Sequence, residues 1–75
     1  KDMDYTKKLK ELREDRDLNQ KEIAELLNTT QSYYSQYENN KRPLPVNHLI
    51  TLCKFYGVSA DYILGLPDNS NYPKR

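Results

Sequence analysis

Residues 19–43, NQKEIAELLNTTQSYYSQYENNKRP, read as two short helices joined by a tight turn, and so short a connection leaves few ways for the pair to pack. Asn19 is a candidate N-cap with Glu22 three residues on, and Ile23, Ala24 and Leu27 share one face. Asn28 and Thr29 break the pattern. Thr30 can cap a second helix in which Tyr34 and Tyr37, three apart, face inward. Gln31, Ser32, Tyr33, Ser35 and Gln36 are left facing out, and none carries a charge. A surface that need only be soluble is normally charged, and Gln can bond adenine through two adjacent groups. The plainer alternative is a solvated polar face.

A chain of 75 residues makes one domain at most, near the lower limit at which an apolar core holds a fold without disulfides or metal. With 36% hydrophobic residues the core must be small and helical, and seven tyrosines against one phenylalanine supply much of its area. The single cysteine excludes an internal disulfide and leaves no zinc-ligand cluster, so a reducing cytoplasm is the expected setting. No apolar run approaches membrane-spanning length and no secretory pattern opens the chain, so no membrane partner is expected. There is no nucleophile paired with a base, no Gly-rich phosphate loop and no metal cluster. Neither an enzyme nor a cofactor is expected.

A net charge of +1 says little about nucleic acid, so its distribution has to carry the argument. Basic and acidic side chains balance over residues 1–18, and Glu22, Glu25 and Glu38 outnumber Lys21 over 19–38. Segment 39–45 holds Lys41 and Arg42 with no acid. A small positive edge therefore flanks the neutral Gln face, which predicts a modest salt dependence for any DNA binding.

Around the central pair, Tyr5, Leu9 and Leu12 recur at helical spacing over 5–16, with Asp4 as candidate cap and Asp17 as terminator. A fourth helix is predicted over Val46–Tyr56, where Val46, Leu49, Ile50, Leu52, Cys53, Phe55 and Tyr56 form a wide apolar face and Gly57 a left-handed stop. Pro43 and Pro45 keep the preceding loop extended. Ser59 can cap a short fifth helix ending at Gly65. The domain is expected over residues 4–66, with 67–75, PDNSNYPKR, a flexible tail or the start of a linker.

The segments LKELREDRDLNQKEIAELL, NTTQSYYSQYENNKRP and HLITLCKFYGVSADYILG together resemble the phage-repressor and Cro-like, or XRE, helix-turn-helix family over roughly residues 5–66. The resemblance implies an all-α, compact five-helix lambda-repressor-like DNA-binding domain. Gln20 opens the second helix, Ala24 four residues on permits close helix approach, and Gln31 and Gln36 fall where the family faces base edges. Asp17, Asn28 and Asn40 stand where the family usually has Gly, and as the non-Gly residues best suited to left-handed backbone they keep those turns at some cost. Tyr34 replaces the usual Ile or Val, so either the core is widened or the hydroxyl exits to solvent.

The resemblance implies that Gln31 and Gln36 read bases, adenine and thymine best, with Ser32, Tyr33 and Ser35 adding hydroxyl or methyl contacts. Gln20, Asn39, Asn40, Lys41 and Arg42 are candidates for phosphate contacts, Gln20 at a helix N-terminus that already favours an anion. Lys41 and Arg42 can equally be a solvated loop pair. Arg13 and Glu38 match a family ion pair tying the first helix to the end of the third, the alternative being two ordinary surface charges. Cys53 reads as core packing and His48 as a partly exposed position near the start of the fourth helix. Leu44, Val46, Tyr62, Leu66 and Pro67 either cover the core or form a two-fold contact between copies.

The expectation is a sequence-specific binder of double-stranded DNA, a transcriptional repressor acting as a homodimer on a two-fold symmetric operator. The alternative is an antitoxin-like or other protein-interaction module of the same fold, which acidic Glu22 and Glu25 would suit.

Overall fold

The computed structural model describes residues 5–66. Five helices follow in chain order: α1 (Tyr5–Asp15), α2 (Gln20–Leu26), α3 (Gln31–Glu38), α4 (Val46–Tyr56) and α5 (Ala60–Leu64), with no strand among the described residues. The candidate cap Asp4, Pro67 and the 67–75 tail lie outside those residues. In packing, α2 lies chiefly on α3, while α1 touches both α3 and α5, and α5 also meets α4.

Side-chain caps start three of the five helices, α2, α3 and α5. Asn19 Oδ1 accepts from the Glu22 N–H at 2.8 Å while Glu22 Oε1 accepts from the Asn19 N–H at 2.8 Å, a reciprocal capping box. Thr30 Oγ1 accepts from the Tyr33 N–H at 3.1 Å, and Ser59 Oγ from the Tyr62 N–H at 3.0 Å.

All five helices end in one way. A left-handed residue turns the chain so that the next N–H reaches back five residues: Leu18 to Arg13, Thr29 to Ala24, Lys41 to Gln36, Val58 to Cys53 and Leu66 to Asp61. The turning residues are Asp17, Asn28 and Asn40, with φ of 57°, 59° and 59°, then Gly57 and Gly65. The Asp and Asn substitutions therefore preserve the turn geometry. The first helix stops at Asp15, one residue before the expected end.

The core is built from Leu9 of α1, Ile23, Ala24 and Leu27, Tyr34 and Tyr37 of α3, Leu52 and Tyr56 of α4, and Ile63 of α5. Tyr5, Leu12, Leu18, Leu44, Leu49, Cys53 and Val58 pack around it. Only part of the expected apolar face of α4 is used. Leu49, Leu52, Cys53 and Tyr56, spaced three and four apart, point at the core, whereas Val46, Ile50 and Phe55 are exposed by 71%, 49% and 40%. Apolar content alone overstated the width of the buried stripe. His48 is half-buried, its ring in edge contact with Tyr37 at 5.9 Å, and burial raises the pKa of the Cys53 thiol.

Candidate nucleic-acid interface

The α2–turn–α3 unit is clamped from beneath by one carboxylate. Arg13 Nε and Nη2 donate to Glu38 Oε2 and Oε1 at 2.7 and 3.0 Å, Gln20 Nε2 donates to Oε1 at 3.1 Å, and the Tyr34 hydroxyl donates to Oε2 at 2.6 Å. Arg13 also donates through Nη1 to the Leu18 carbonyl at 2.9 Å, so one guanidinium holds the α1–α2 connection and the end of α3 together. Burial works against the charge on Glu38, but the bonds from Arg13, Tyr34 and Gln20 outweigh it and hold its pKa below the usual carboxylate value. The Glu38 bond raises the Arg13 pKa, and burial followed by the same carboxylate raises that of Tyr34.

Of the two courses expected for Tyr34, exit of its hydroxyl to solvent is the one not taken. The residue is fully buried, and its hydroxyl ends on Glu38 instead of reaching solvent. Tyr34 and Glu38 are four residues apart on one helix, a spacing visible in the sequence; the missing signal was that Glu38 would face inward beside Tyr34. Gln20 is placed in this cluster as well, its amide NH2 bonded to Glu38.

Above the clamp, α3 presents its outer row. Gln31, Ser32 and Tyr33 are exposed, and Ser35 and Gln36 are half-buried. Ala24 is buried at the α2–α3 contact, where its small side chain lets the helices approach. The loop after α3 folds back on this row: Asn39 Nδ2 donates to Ser35 Oγ at 3.1 Å, Arg42 Nε donates to Gln36 Oε1 at 3.2 Å, and the Arg42 guanidinium lies 4.6 Å from the Tyr33 ring centroid. Asn40 and Lys41 are exposed beside it. The same loop is tied to α1 where the Leu44 N–H donates to the Tyr5 hydroxyl at 3.0 Å. The structure thus brings Ser35, Gln36 and Tyr33 of the expected base-facing set against Asn39 and Arg42 of the loop, while Gln20 bonds Glu38.

Arg16 carries a contact that sequence patterning did not single out. Its Nη2 donates to the Tyr56 carbonyl at the end of α4 at 3.0 Å, and its guanidinium lies over Phe55 and Tyr56 at 5.8 and 5.4 Å.

A helix-turn-helix family model matches residues 9–63, spanning all but the outermost parts of this architecture. The chain belongs to the XRE-type helix-turn-helix family. Among curated proteins this helix-turn-helix chain is similar to the "Uncharacterized HTH-type transcriptional regulator YobD" of Bacillus subtilis, 37% identical over 87% of the chain and 58% of the relative. It is also similar to the "HTH-type transcriptional regulator ImmR" of the same organism, 41% identical over 84% of the chain and 50% of the relative. A third, the "HTH-type transcriptional regulator PrpR" of Mycobacterium tuberculosis, is 38% identical over 73% of the chain but only 11% of that protein. The chain spans about half the length of the first two relatives. No solved structure matches it. Among the described residues no helix is long and apolar enough to cross a membrane, and no group of His, Cys, Asp and Glu could hold a metal ion.

Proposed function

We propose that this chain binds double-stranded DNA sequence-specifically by laying α3 in the major groove, and that it represses transcription as a dimer on a two-fold symmetric operator. The observation that carries the reading is the uncharged, exposed row of Gln31, Ser32 and Tyr33, continued by Ser35 and Gln36 and edged by Lys41 and Arg42. Gln31, Ser32, Tyr33, Ser35 and Gln36 take the base edges; Asn39, Asn40 and Lys41 take the phosphates, and Arg42 lies against Gln36 and Tyr33. Gln20 serves a phosphate only if its amide leaves Glu38, so its part in binding is the weaker one. The names of the relatives, all transcriptional regulators, support the same reading.

Val46 and Ile50, four apart on α4, and Tyr62 on α5 are exposed apolar side chains that suit a contact between two copies. Two recognition helices about 34 Å apart would then enter successive major grooves, and occlusion of a promoter would follow. This reading needs no catalysis, no cofactor and no membrane, and its setting is the cytoplasm.

Selection from a random duplex library tests it. Recovery of a symmetric site whose preference disappears in Gln31→Ala/Gln36→Ala supports the reading. Failure to enrich any site even at low salt contradicts it and favours the alternative of a protein partner.

A further inference from the structure

We propose that Arg42 sets which base Gln36 reads, turning that position from an adenine reader into one selective for guanine. This rests on the reading of α3 as a base-contacting helix. Arg42 is brought back over the helix by the backbone: Asn40 is left-handed, the Lys41 N–H donates to the Gln36 carbonyl at 2.8 Å, and Pro43 disfavours helical backbone at Arg42. The guanidinium then makes two side-chain contacts on residues three apart. Its Nε donates to Gln36 Oε1 at 3.2 Å, and it lies 4.6 Å from the centre of the Tyr33 ring.

Arginine has N–H donors and no acceptor, so the Gln36 atom facing it must be the carbonyl oxygen. The amide NH2 is thereby turned to the other side. A free Gln pairs with adenine by giving a proton to N7 and accepting one from the N6 amine. Here a cationic N–H already sits on that carbonyl. The carbonyl keeps a second lone pair, but the guanidinium beside it sets further donors against any base amine that approaches. Gln36 and Arg42 together face the groove as a surface of donors. Guanine, with N7 and O6 as adjacent acceptors, is the base edge that complements it; adenine sets donor against donor.

The test is binding-site selection with the wild-type protein, Gln36→Ala, Arg42→Ala and Lys41→Ala, followed by titration of duplexes differing only at the affected position. Arg42 is exposed, and circular dichroism checks that each variant keeps its helices. Lys41→Ala removes a charge from the same loop and keeps the backbone N–H that bonds the Gln36 carbonyl. The expected result is a guanine preference that Gln36→Ala abolishes, that Arg42→Ala shifts toward adenine by roughly tenfold in relative affinity, and that Lys41→Ala leaves intact while weakening binding to every duplex. Arg42→Ala behaving like Lys41→Ala, with uniform loss and unchanged preference, overturns the proposal while leaving α3 as the reader. So does a wild-type preference for adenine at that position, or one that survives Gln36→Ala. Absence of any enriched site for the wild type overturns the DNA reading itself, and the role of Arg42 with it.

Discussion

The Tyr34 hydroxyl donates to the Glu38 carboxylate at 2.6 Å, one turn along the same helix and inside the core. That bond makes a polar replacement for an aliphatic residue compatible with a small core, because the hydroxyl completes a carboxylate already bound by Arg13 and Gln20. It also fixes the orientation of α3 from beneath. Tyr34→Phe should lower stability by about 1.5 kcal/mol, and Arg13→Ala by about 3 kcal/mol because it leaves a buried charge unpaired. Urea denaturation of the two variants measures both, and equal, negligible losses would show the cluster to be incidental.

Glu38 also gives the fold a definite acid dependence. Its folded-state pKa lies below the ordinary value of 4.5, so its contribution is fully present above that pH and is lost as pH falls through the lower folded value. Thermal melts from pH 7 down to pH 2 should show a steepening loss below about pH 4.5, reduced in Glu38→Gln. That variant should be less stable at neutral pH.

Tyr56 makes the opposite case. Its hydroxyl is buried and has no hydrogen-bond partner among the described residues, and burial, then the charge of Glu38, pushes its pKa up to about 12. Tyr56→Phe removes an unsatisfied polar atom while keeping the ring, so stability should rise by about 1 kcal/mol. A rise for Tyr56→Phe and a fall for Tyr34→Phe, in the same chemical denaturation assay, separates the two tyrosines.

The left-handed turns at Asn28 and Asn40 carry a backbone cost that Gly does not. Asn28→Gly should gain about 0.5 kcal/mol after the freer unfolded chain is counted, whereas Asn28→Ala should lose about 1 kcal/mol. Paired denaturation curves for the two variants check the sign of each.

Helix positions and ends were legible because they rest on local chemistry: Asn19 with Glu22, Thr30 and Ser59 as caps, and Asp17, Asn28, Asn40, Gly57 and Gly65 as turning residues. The destination of the Tyr34 hydroxyl was not, since it depends on α1 and α2 bringing Arg13 and Gln20 to the same carboxylate. Nor was the exposure of Val46, Ile50 and Phe55, because an apolar side chain does not declare which neighbour covers it. On the candidate DNA-facing side, the outward row of α3 followed from helical spacing and the inward tyrosines. The turning of Arg42 onto Gln36 and Tyr33 came from the tertiary path of the loop.

The central claim is that α3 meets DNA bases. Amide chemical-shift mapping of the nitrogen-15-labelled chain, titrated with a duplex recovered by site selection, tests it most directly. The account predicts the largest changes at residues 31–36 and 39–42, growing to saturation with a single duplex site. Saturable binding that leaves 31–36 unshifted, or no shift anywhere at low salt, would contradict it.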